Sequence, residues 1–346
     1  MKTEIGGYLE LERFGGSLLH EGAVALESGR ACLAWLIEQK KIRRIALPDF
    51  LCDVVAEVCR AEGTEIRKYA IGEDLMPQDV HHEPGESFYL VNFFGQLAPE
   101  NITGYRTKAD HLIVDNAQAY FTPPVPGIDT LYTCRKFLGV PDGGFLYTDL
   151  LPKAYVDSNL SLPSSEEESF SSGSFPGQPE RGASLERMRF VLGRFEQSAG
   201  AFFDEASHNN DSLPLKPRRM SVLTENLLRA VDYTRVQEQR TENFLRLHEA
   251  LGGINHLPLR VPEGPYAYPL MLEDGPACRQ ALIAQKIFVP QLWPNVVKEQ
   301  PAGSTARKLA ENILPLPCDQ RYGKEEMEYI IACVRAWLKE KGRREA

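Results

Sequence analysis

With 346 residues the chain is long for one domain and comfortable for two, and a hydrophobic fraction of 43% can supply a sizeable core. A net charge of −9 argues against a general nucleic-acid binder, which needs a basic face, and fits a protein that handles small molecules. Seven cysteines, an odd number without a C-x-x-C pair, argue against a disulfide framework or a zinc site.

Scattered cysteines suit a reducing cytosol, so a cytoplasmic location is expected. Met1 to Glu12 is charged and lacks the apolar core of a signal peptide. No uninterrupted apolar run approaches membrane-spanning length, so no membrane partner is expected.

In chain order, a helix is predicted from near Ala31, then a strand over Ile42 to Leu47 and a helix over Asp53 to Glu62. Strands follow at Phe88 to Phe94, at His111 to Val114 ending on Asp115, at Leu131 and Tyr132, and at Gly144 to Thr148. Alternating strands and helices indicate an α/β layer around a mostly parallel sheet. The serine-rich, acidic stretch Ser158 to Ser174 reads as a long surface loop, either an ordinary connection or an active-site flap. Helices are predicted over Leu185 to Phe203 and, continuously, over Ser221 to Leu251. The remainder reads as strand (Ala267 to Leu272), helix (Ala277 to Gln285), a proline-punctuated loop, and helices over Thr305 to Glu311 and Lys324 to Lys339. The expected division is a large domain over residues 1–235 and a smaller C-terminal α+β domain over 236–346.

Dinucleotide, P-loop, H-E-x-x-H and G-x-S-x-G signatures are all missing, and His81 and His82 read as solvated residues rather than metal ligands. Three segments carry candidate chemistry. Ser28, Gly29 and Arg30 open a helix; they are either a plain N-cap or a phosphate site built from free N–H groups. Asp115 follows a buried strand, where α/β sheets place ligands. It is either a turn former or a carboxylate that keeps a cofactor's pyridine nitrogen protonated. Lys136 follows a short strand and precedes the turn at Gly143 and Gly144. Buried beside cations such as Arg135, such an amine is freed to form a Schiff base; the alternative is two solvated cations before a hairpin.

The order and spacing of these segments resemble the DegT/DnrJ/StrS family of sugar aminotransferases, which depend on pyridoxal 5'-phosphate (PLP) and have the aspartate-aminotransferase fold, fold type I. The resemblance covers nearly the whole chain: Glu4 to Glu12, Ser28 to Ala31, Leu47 to Cys52, Val91 to Gly95, Val114 to Gln118, Tyr132 to Lys136, Arg219 to Ser221 and Ile313 to Arg321.

The resemblance implies that Lys136 carries the cofactor and moves the proton, and that Asp115 pairs with the pyridine nitrogen. Gln118 would lie near the ring's phenolic oxygen. Ser28, Gly29, Arg30 and Thr133 would hold the phosphate, and Arg219 would approach the partner subunit's cofactor in a homodimer with shared active sites. Cys52 stands where many members stack an aromatic residue on the ring, Arg30 where many have threonine, and Pro217 and Arg218 where many have an Asn-Tyr pair. The implied activity transfers an amino group, from glutamate as small-molecule donor, to a keto group of a nucleotide-linked sugar. The alternatives are a PLP-binding regulatory or accessory protein without transferase activity, a dehydratase (against which Lys136 argues), and an α/β binding protein without PLP.

Overall fold

The computed structural model describes residues 6–78, 80–81, 83–150, 181–211 and 213–345. The loop expected at Ser158 to Ser174 lies outside them. A seven-stranded sheet runs in the order β1-β7-β6-β5-β4-β2-β3. Its strands are β1 Val24–Leu26, β2 Arg44–Pro48, β3 Glu65–Tyr69, β4 Ser87–Val91, β5 His111–Asp115, β6 Asp129–Thr133 and β7 Gly144–Tyr147. The five strands from β3 to β6 pair in parallel, whereas β7 is antiparallel to both β6 and β1. The reversal follows from length: residues 134–143 join β6 to β7, and a parallel crossover needs about a dozen residues or more.

The central strands are covered on both faces. That is why β4 and β5 are almost continuously apolar and buried rather than alternating. Helix α1 (Gly29–Lys40) lies against β6 and β7 and buries an unbroken run from Ala31 to Ile37. α2 (Asp53–Ala61) and α3 (Pro99–Arg106) flank β3 and β5.

Several boundaries differ from the sequence-based expectation. β1 has only three residues, too few to show periodicity. β3 is the far edge strand, where Glu65, Arg67 and Lys68 keep their charges partly or fully exposed. β4 stops at Val91, because Phe94 (φ 52°) and Gly95 (φ 72°) turn the chain through left-handed conformations. The helix expected over 185–203 is α4 (Arg181–Glu196), followed by a 3₁₀ turn and α5 (Phe203–Asp211).

The long helix expected over 221–251 is two: α6 (Val222–Leu228) and α7 (Tyr233–Leu251). Asp232 accepts from the Arg235 N–H at 3.0 Å and so starts a new helix, while the Tyr233 hydroxyl caps the Leu228 carbonyl at 2.8 Å.

Beyond α7, β8 (Tyr268–Met271) and β9 (Ile313–Leu316) form a separate antiparallel pair. It lies among α8 (Gly275–Ala284), α9 (Pro294–Glu299), α10 (Thr305–Asn312) and α11 (Lys324–Glu345). Phe244, Leu247, Leu270, Leu282, Leu314 and Met327 share one apolar cluster there, apart from the main core. The expected α/β architecture with a C-terminal α+β part is therefore present. Among the described residues no helix is long and apolar enough to cross a membrane.

At the amino ends of the parallel strands, Ser87 Oγ meets His111 Nδ1 at 2.8 Å, and His111 Nε2 meets Asp129 Oδ2 at 2.6 Å. Lys40 Nζ approaches the same carboxylate at 2.6 Å. Ser87 is buried, so this chain of contacts braces three strands and offers no accessible nucleophile.

Candidate active site

The opposite, carboxyl ends of β5 and β6 carry the candidate chemistry. Register pairs Asp115 with Val91 on one side and Leu131 on the other. Asp115 is thus the last residue of a central strand, where the open end of a parallel sheet receives ligands. Its carboxylate is fixed: Oδ2 accepts from the Tyr89 hydroxyl at 2.8 Å and Oδ1 from the Ala117 N–H at 2.8 Å. Burial pushes the Asp115 carboxyl up; the charge of Lys136 and these two hydrogen bonds work against the rise.

Lys136 follows β6 by three residues. Protein surrounds it closely enough for desolvation to push its amine down, aided by Arg135 and opposed by Asp115 and Cys52. Yet the residue is exposed to solvent. The two observations agree if Lys136 lies in a walled recess open on one side, and that description matches an amine a carbonyl compound can reach. The ring of Tyr266 forms part of the wall, with its centroid 5.7 Å from Nζ. Cys52 stands at the start of α2, half-buried, with Sγ 3.4 Å from Asp53 Oδ1. Asp115, Lys136 and Cys52 therefore form one electrostatic group.

The helix opening forms a second group beside it. Ser28 caps α1 through Oγ, which accepts from the Ala31 N–H at 3.2 Å and leaves the hydroxyl proton to donate. The N–H groups of Gly29 and Arg30 precede the first intrahelical bonds. Gly144 lies against this turn so closely that a Cβ there would sit 2.5 Å from the Ser28 carbonyl carbon. Gly143 N–H donates to the Glu27 carbonyl at 2.6 Å, and Thr133 Oγ1 donates to the Gly143 carbonyl at 3.2 Å. The α1 opening and the end of β6 are thereby locked together.

Arg135 brings a buried Nε without a hydrogen-bond partner among the described residues, and Arg30 is among the charges that lower its guanidinium after desolvation. Arg30 Nη1 also donates to the Leu213 carbonyl at 3.4 Å. The chemistry of the set suits a phosphorylated carbonyl cofactor: an accessible amine, a buried carboxylate, and a helix N-terminus beside cations.

Two candidates are held elsewhere in the same region. Gln118 Oε1 accepts from the Phe94 N–H at 2.9 Å, which orients the amide with its NH₂ end toward other acceptors. Arg219 belongs to a segment that pairs antiparallel with β1, opposite Leu26, on the outer edge of the sheet.

Sequence reasoning missed Tyr89 and Tyr266. In sequence Tyr89 looks like any core aromatic. The signal for Tyr89 would have been a hydroxyl on the strand that neighbours Asp115.

No family model and no curated protein matches the sequence. Solved structures do match. DesV of S. venezuelae, captured with a ketimine intermediate, aligns with TM-score 0.63 and 16% identity over 91% of this chain and 84% of that one. A DegT/DnrJ/EryC1/StrS aminotransferase from Brucella abortus aligns with TM-score 0.61 and 16% identity over 91% and 85%. A Streptococcus pneumoniae structure in a PLP form aligns with TM-score 0.58 and 14% identity over 91% and 86%. By architecture, then, this chain has the α/β fold of the DegT/DnrJ/EryC1/StrS-type aminotransferase structures, fold type I.

Proposed function

We propose that the chain is a PLP-dependent aminotransferase that moves an amino group from glutamate to a keto group of a nucleotide-linked sugar. The observation that carries the reading is Lys136: an amine in an open recess, its charge disfavoured by burial, with the fixed carboxylate of Asp115 behind it. Structures of this fold solved in PLP and PMP forms support the cofactor, and sugar aminotransferases among them support the substrate class. PLP would supply an electron sink for the bond broken at the substrate's amino-bearing carbon.

The chain's own residues would do the rest. Lys136 Nζ, its charge disfavoured by desolvation, would take the proton from the substrate carbon and return it. Asp115, pinned by Tyr89 and Ala117, would hold the proton on the pyridine nitrogen. Ser28, Gly29, Arg30 and Thr133 would hold the phosphate, with the Thr133 hydroxyl turning away from Gly143 to donate. The Gln118 NH₂ would face the phenolic oxygen, and Cys52 would lie against the ring with a polarisable thiol. Arg219 would serve the partner subunit's site in a cytoplasmic homodimer. Residues 1–235 would form the cofactor-binding domain and 236–346 the smaller one. The start of α7 at Asp232 and the apolar cluster around β8 and β9 support that division.

Borohydride reduction followed by peptide mass mapping tests the assignment. The expected result is one PLP-derived label, on Lys136. A label on another lysine, or none after incubation with PLP, would overturn it.

A further inference from the structure

Arg240 lies in the first half of α7 and is 1% exposed. A guanidinium taken out of water is costly unless its donors are satisfied, and among the described residues none of the hydrogen bonds of Arg240 goes to a carboxylate. Nη2 donates to the Phe137 carbonyl at 2.9 Å, across 103 positions of sequence. Nη1 donates to the Pro265 carbonyl at 2.9 Å and reaches the Tyr266 carbonyl at 3.4 Å. Nε donates to Gln320 Oε1 at 2.7 Å, and Gln320 Nε2 returns to the Phe137 carbonyl at 2.8 Å. The guanidinium carbon also lies 4.7 Å from the centroid of the Phe137 ring.

The targets of these donors share one property. Phe137 is the residue after Lys136, and Tyr266 is the residue whose ring faces the Lys136 amine. One planar cation therefore fixes the backbone beside the lysine and the backbone of the wall opposite it. A structural staple between α7 and the core could have used any carbonyls, whereas these border the recess on two sides.

We propose that Arg240, assisted by Gln320, is the positioning residue that holds Lys136 and the Tyr266 ring in one arrangement. The inference rests on the proposed role of Lys136 as the reactive amine. The planar fork explains the choice of arginine, since a lysine ammonium cannot donate along three fixed directions to a carbonyl, a second carbonyl and an amide at once.

The test reads the amine itself. The full chain, stripped of bound carbonyl compounds, is trace-labelled with acetic anhydride across a pH series, and the Lys136 peptide is quantified. The groups bearing on that amine are Asp115, Cys52, Arg135 and Tyr266, and Arg240→Met removes none of them. Releasing Phe137 and Tyr266 lets the lysine and its aromatic wall move apart, so that more water reaches the amine. Arg240→Met is therefore expected to raise the Lys136 midpoint by roughly one pH unit toward that of an ordinary lysine. Imine formation with PLP near neutrality would fall about tenfold with it. Arg240→Lys should shift the midpoint less, and Gln320→Met should shift it in the same direction by a smaller amount.

An unchanged or lowered midpoint in folded Arg240→Met overturns the proposal. If that variant does not fold, Gln320→Met decides in the same way. Failure of PLP to fix on Lys136 in the unaltered chain would overturn the cofactor reading and leave the anhydride comparison standing.

Discussion

The Tyr89 hydroxyl donates to Asp115 Oδ2 at 2.8 Å from the neighbouring strand, so β4 orients the carboxylate that β5 carries. The bond favours the charged form of a carboxyl that burial pushes up. Tyr89→Phe keeps the ring and removes the donor, so the Asp115 pKa should rise further. The proposed reaction needs the charged carboxylate, so the acid limb of the pH–activity profile should move to higher pH. A hydrogen bond to a charged group contributes about 1.5–3 kcal/mol, so the limb should move by roughly one to two pH units, with the loss in kcat/KM growing as the pH falls toward it. An acid limb that does not move would show that Asp115 is not the group titrating there.

Gly144→Ala tests the lock between the helix opening and the β6–β7 turn. The new Cβ would fall 2.5 Å from the Ser28 carbonyl carbon and 2.6 Å from its oxygen. Backbone must move, at a cost of about 1–3 kcal/mol. Because Ser28 and Gly29 move with it, the affinity for PLP should fall more than the affinity for pyridoxal, which lacks the phosphate. Equal losses for both ligands would place the phosphate elsewhere.

Asp129→Asn tests the brace at the far end of the sheet. Burial alone would raise the Asp129 carboxyl, but His111, Lys40 and Thr148 outweigh it and hold the carboxyl below its ordinary value. A depressed carboxyl stabilises the fold above its unfolded pKa, and that contribution disappears as the pH falls through the folded value. The variant should lose about 3 kcal/mol at pH 7, as expected when a buried ion pair is broken from one side. Its deficit should shrink as the pH falls below about 4. Denaturant melts across that range check the sign, while PLP binding at the opposite end should persist.

The place of Arg219 is testable by mixing. Lys136→Ala and Arg219→Ala should each be inactive. Under subunit exchange, shared sites predict that a mixed dimer has one site with both lesions and one with neither, so activity returns. No recovery, with exchange confirmed independently, would mean that Arg219 serves its own subunit. Arg219 sits on the sheet's outer edge beside Leu26, which leaves that segment at a border rather than in the core.

Local pattern determined a good deal of this protein. The apolar runs of β4 and β5 announce strands covered on both faces, because burial on two sides removes the alternation that a half-solvated strand would show. The order of Ser28, Asp115 and Lys136 along the chain was legible for the same reason: each follows or opens an element whose pattern lies within a few residues. Tertiary structure alone decided the rest. β3 carries three charged residues in five and becomes a strand only because β2 offers it an edge. The break between α6 and α7 depends on one aspartate's choice to cap rather than continue, a difference too small for apolar spacing to register. Arg240 and Phe137 meet across 103 positions. No local periodicity reports such a contact, because a buried arginine and a solvated one leave the same mark on a helix, and only the packing of distant segments determines which it is.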